Sequence, residues 1–208
     1  MTLEQSAVRR SGPRKRATGI VRGIVLVVIA VIAVWLVYSS LYSPLSTGTF
    51  SAPETRSVKA LTDGVAPTRY IVDASTGQHG RIAYDLANDG RFPVRVDGLA
   101  SDHAYGITAV GWVPDQGNGE LMGGYASDVR AFPVTIKPGE WVVVWVTVTK
   151  PPCQAGQITT VEEIPLRWSA LGRHHVYRLP LSDTAGGIRE IALCHPPEAL
   201  KHLEFPES

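Results

Sequence analysis

From Gly23 to Tyr42 the chain reads GIVLVVIAVIAVWLVYSSLY, a stretch without a charged residue, and Ile24–Val37 within it is unbroken apolar. In a helix each residue rises about 1.5 Å, so roughly 20 residues match a hydrocarbon core of about 30 Å. Val and Ile are only fair helix formers in water, but in lipid the backbone must satisfy its own hydrogen bonds and helix wins. Trp35, Tyr38 and Tyr42 gather at the C-terminal end of the run, where amphipathic rings favour the membrane interface. A buried core helix would not be apolar all round over this length. A cleaved signal peptide would carry a shorter apolar run and a small-x-small site, for which only YSS and SLYS offer weak matches. The pattern predicts a retained signal anchor over residues 23–42.

Charge gives that anchor a direction. Residues 1–22 hold six basic residues (Arg9, Arg10, Arg14, Lys15, Arg16, Arg22) and one acidic residue, Glu4; the first positive charge after the run is Arg56. Basic residues stay on the cytoplasmic side. The expectation is a single-pass cell-membrane protein with a basic cytoplasmic tail at 1–22 and everything after the anchor extracytoplasmic. The other 186 residues hold 14 basic and 18 acidic residues, so the basic excess is a tail and no nucleic-acid-binding face is visible.

Residues 39–57, SSLYSPLSTGTFSAPETRS, hold 12 Ser, Thr, Pro or Gly among 19. That composition buries little, so residues 43–66 read as a spacer. From 67 to 200 short apolar runs alternate with Gly, Pro and Asn/Asp turns, which indicates a mostly β sandwich of about eight or nine strands; residues 201–208 read as a tail. In EWVVVWVTVTK, Val142, Val144, Val146 and Val148 share one face at period two and are expected in the core; Trp141, Val143, Trp145 and Thr147 share the other. The two tryptophans suit a ligand-stacking platform, but such residues more often cover a sheet edge or pack under a loop. Ile82, Tyr84 and Leu86 alternate before Asn88-Asp89-Gly90, and Val94 and Val96 after it, as a hairpin or a corner between sheets whose turn residues tolerate positive φ. Ile164, Leu166 and Trp168 run into SALGR and return as His175, Tyr177, Leu179 and Leu181.

Local signatures of chemistry are few. There is no G-x-S-x-G, H-E-x-x-H, P-loop, C-x-x-C or EF-hand spacing, so no catalytic residue, metal ligand or cofactor is assigned and a non-enzymatic role is expected. His174-His175 invites a metal, but neighbours on a strand point to opposite faces. Cys194-His195 and Glu162-Glu163 meet the same objection. A metal set assembled at a distance, from His79, His103, His195 and His202, stays open. The long polar loop 114–128 offers Gln116, Asn118, Glu120 and Tyr125 as candidate binding residues, although such loops also tolerate insertions without function. The two cysteines, Cys153 and Cys194, each follow a predicted strand beside a Pro-bearing turn; outside the cytoplasm they are expected to pair. Two free thiols holding copper with nearby histidines are the alternative.

The basic tail, the apolar helix ending VYSSLYSPL, then YDLANDGRFPVRVDGL and KPGEWVVVWVTVTKPPC resemble small actinobacterial single-pass membrane proteins with an immunoglobulin-like extracytoplasmic domain. The resemblance implies a fold and a location, and no catalytic residues. The reading is a membrane-tethered, non-catalytic domain for protein interaction or envelope structure, its partners the lipid bilayer and an unidentified envelope protein. An extracytoplasmic metal- or small-ligand-binding protein is the alternative.

Overall fold

The computed structural model describes residues 14–53, 57–62, 67–73, 75–100, 105–114, 129–181 and 190–195. The chain divides into two compact units, Met1–Tyr42 and Ser43–Ser208.

The first unit holds α1, Arg14–Leu41. Its stretch Arg22–Leu41 is long and apolar enough to cross a membrane. Side chains from Ile24 to Val37 are exposed, so no protein surface covers them. The hydroxyls of Ser39 and Ser40 donate back to the Leu36 carbonyl at 3.1 and 2.7 Å, which satisfies them without water. Tyr38 packs between Trp35 and Tyr42 as a tilted aromatic ladder, with ring centroids 6.5 and 5.8 Å apart. The helix begins at Arg14, so the C-terminal part of the expected basic tail is helical.

The second unit is all β, and the expectation of a mostly β chain with a sandwich-like arrangement of antiparallel sheets holds. The described residues carry β1 Leu45–Pro53, β2 Val58–Thr62, β3 Pro67–Val72, β4 His79–Asn88, β5 Val94–Leu99, β6 Ile107–Pro114, β7 Val134–Ile136, β8 Trp141–Thr149, β9 Thr159–Val161, β10 Glu163–Ala170, β11 Arg173–Pro180 and β12 Ile191–Cys194. They form three four-stranded sheets, in the orders β1-β4-β8-β6, β11-β10-β5-β7 and β2-β3-β12-β9. Pairing is antiparallel except between β12 and β3.

Two expectations need correction. Residues 43–66 are not merely a spacer: β1 pairs with β4 over Leu45–Pro53, and β2 with β3. Ser and Thr suit an edge strand with one face wet, and β1 is an edge. The strand total is also higher than eight or nine, through β1, β2 and the three-residue β9.

The inner register is as the alternation predicts. Val144, Val146 and Val148 are fully buried, opposite Tyr84, Ile82 and Gly80 of β4. Facing them from the second sheet are Ile164, Leu166 and Trp168, with Val94 and Val96. β4 and β5 lie in different sheets, so the segment between them is a corner and not a hairpin. Its Asn88-Asp89-Gly90 serves through side-chain bonds, not positive φ: Asn88 Nδ2 donates to the carbonyls of Phe92 and Ile136, both at 2.9 Å, and Oδ1 accepts from Gly90 N at 3.0 Å. The Pro138-Gly139 turn does use positive φ, 74° at Gly139.

Candidate functional site

β8 lies between β4 and β6, and its second face is also covered. Val143 and Trp145 pack with Ala83 and Val113 in a separate apolar cluster, against which Val129 leans. Ala83 and Gly111 stand directly opposite Trp145 on the two neighbouring strands, so small side chains leave room for the indole. The 129–131 segment is strapped to the sheet edge. Trp112 and Arg130 exchange backbone hydrogen bonds at 2.9 Å each, and Trp112 Nε1 donates to the Ala131 carbonyl at 3.2 Å. The Arg130 guanidinium lies over the Trp112 ring, 5.3 Å from its centre. Gly111 permits this approach: a Cβ there would collide with Val129 Cγ1 and stand 2.9 Å from the Arg130 carbonyl oxygen.

Between strap and sheet lies a cavity of about 380 Å³ whose lining includes Arg81, Gly111, Val129, Trp145 and Thr147. That volume is at the small end of the range for small-molecule sites. Its lining among the described residues carries no carboxylate. The Trp145 indole N–H is buried and makes no hydrogen bond. Farther along the same face the polar row continues, with His79 Nδ1 at 2.6 Å from Thr149 Oγ1 and Thr108 Oγ1 at 3.0 Å from it. The arrangement offers donors, a flat apolar wall and no nucleophile with an adjacent base.

The candidates read from the sequence fare differently. Cys153 and Cys194 form a disulfide, with Cα atoms 5.7 Å apart; it ties the end of β12 to the segment after β8. Gln116, Asn118, Glu120 and Tyr125 lie outside the described residues, as do His103 and His202. Trp141 and Trp145 do not form one platform: Trp145 is buried in the cluster, whereas Trp141 is 40% exposed and borders Gly48. His174 and His175 diverge as strand neighbours must. His174 is exposed, and His175 stacks on Trp168 with centroids 4.5 Å apart. Glu163 pairs with Arg178. No group of three or more His, Cys, Asp or Glu suited to a metal occurs among the described residues.

Near the disulfide the charges form a local network. Lys59 hydrogen-bonds Asp73 and holds its carboxyl below the usual range, with smaller help from Lys150 and His195. Partial burial lowers the Lys150 ammonium, which donates to the Val72 carbonyl at 2.9 Å. These contacts join β3 to the segments flanking the disulfide, and structure is their sufficient explanation.

The cavity was not legible as a site, because Arg81, Gly111 and Trp145 come from three strands far apart in sequence. The one signal was a glycine inside an apolar strand, which marks a close approach.

No protein-family model and no curated protein matches the chain. Eight chains of solved structure match. One is the apo PCuAC domain from PmoF1, at 14% identity and a TM-score of 0.31, covering 66% of this chain and 92% of that one. That likeness is too slight to carry an argument about function.

Proposed function

We propose that the chain is a single-pass cell-membrane protein, N-terminus cytoplasmic, that holds its β domain outside the membrane as a non-catalytic binding or envelope-structural module. The observation that carries this reading is the Cys153–Cys194 disulfide in a domain that directly follows a helix able to span a bilayer. Disulfides persist in oxidising compartments. The six basic residues before the helix and their absence directly after it support the orientation. The lack of a good cleavage site supports retention of the helix as an anchor. Mass spectrometry of the mature protein tests retention: an N-terminus preceding Arg22 is expected, and one between residues 38 and 52 would refute anchoring. Crosslinking on intact cells then identifies the envelope protein; capture of the same neighbour by Lys59 and Lys137 reagents is expected, and no reproducible neighbour would refute protein interaction.

A second reading, binding of a small ligand, is favoured by the cavity beside Trp145 and is compatible with the same topology.

A further inference from the structure

We propose that the cavity under the 129–131 strap binds a small organic oxyanion, a carboxylate or a phosphate ester, through Arg81 and the Trp145 indole N–H. This names the ligand class for the small-ligand reading and rests on it. The indole N–H is buried in a residue only 6% exposed and has no acceptor. Such a group loses its hydration on folding without recovering a hydrogen bond, and native structures rarely leave one so. Its residue lines the cavity, so an acceptor placed there is the direct remedy.

The remaining lining selects the kind of acceptor. Arg81 lines the same space, and its guanidinium carries five donors, enough to hold an anion besides another partner. Thr147 stands directly opposite Arg81 across the β4–β8 pair, which puts its hydroxyl on the same face. Arg130 is engaged with the Trp112 ring, so the charge falls at the Arg81 end. Without a carboxylate in the described lining, nothing there repels an anion or prefers a cation. Val129, Ala109 and the indole face supply an apolar wall, so the ligand has a flat apolar body as well as a charged head. Inorganic phosphate alone would leave most of the roughly 380 Å³ empty.

The test uses the full chain, ¹⁵N-indole-labelled, in nanodiscs, titrated separately with benzoate, phenyl phosphate and neutral benzamide. The Trp145 resonance is assigned by its loss in Trp145→Phe or, should that variant fail to fold, by its proximity to Ala83 and Val129. Benzoate or phenyl phosphate is expected to shift this one indole N–H, and Arg81→Gln to weaken the response about tenfold or more. Whichever anion responds identifies the source of the oxyanion. If neither anion moves the resonance at millimolar concentration, or if benzamide moves it equally well, the proposal is wrong. Membrane topology plays no part in this readout, so its failure leaves the tethering reading untouched.

Discussion

Asn88 is the buried polar side chain that fixes the corner between β4 and β5. Its amide satisfies two carbonyls and one N–H, while its own carbonyl accepts from Gly139 N at 2.7 Å. Asn88→Ala leaves those groups to find other partners, and about 3 kcal/mol of stability is expected to go, read by urea unfolding. Asn88→Asp is expected to do no better, because it sets carboxylate oxygens against two carbonyls; an unchanged midpoint for either variant would remove Asn88 from this role. Tyrosines make a pH prediction. Burial pushes Tyr70 up to about 12 although its hydroxyl donates to Ser51 Oγ, and burial raises Tyr84 as well. A raised phenol favours the folded state while it is protonated. That contribution is complete below the ordinary value of 10.0 and is lost as pH climbs toward about 12. The melting temperature is expected to fall across that window, with late phenolate absorbance appearing together with unfolding. Tyr70→Phe should flatten part of the fall.

At the scale of elements, β8 is the centre of the fold. Its alternation was legible because β-branched residues at period two leave few other readings, and Val144, Val146 and Val148 are buried as expected. The covering of its other face was not legible. Val143 and Trp145 are buried by Val129, which arrives from a separate segment over Gly111, and no local pattern records such a long-range contact. The same limit hid β1, whose Ser, Thr and Gly residues read as linker until β4 supplied a partner. Val144→Asp and Val143→Asp are therefore both expected to destabilise by several kcal/mol, since each buries an unpaired carboxylate. A Val143→Asp protein that melts like wild type would mean the second face is open. The disulfide closes a sequence separation of 41 positions, and Cys194→Ser is expected to lower stability by about 2–5 kcal/mol. Circular dichroism melts with and without reductant provide the check: wild type should lose stability on reduction, whereas the serine variant should not change.

For the whole molecule, an apolar helix and a disulfide-bonded β domain follow one another in a chain whose positive charge is concentrated ahead of the helix. The helix was legible almost to the residue, because length and apolarity alone specify it. A ligand or partner was not legible, since sheet faces assemble their chemistry from distant strands. The central claim is that the β domain faces outward, and lysines report on it directly. Lys15 is the one lysine before the helix; Lys59 and Lys137 follow it in the β domain, with side chains 43% and 73% exposed. Intact cells are treated with a membrane-impermeant amine reagent, and labelled peptides are identified by mass spectrometry before and after permeabilisation. The expected result is modification of Lys137 and Lys59 on intact cells, with Lys15 modified only after permeabilisation. Lys137 protected until the membrane is opened, or Lys15 labelled on intact cells, would contradict the account.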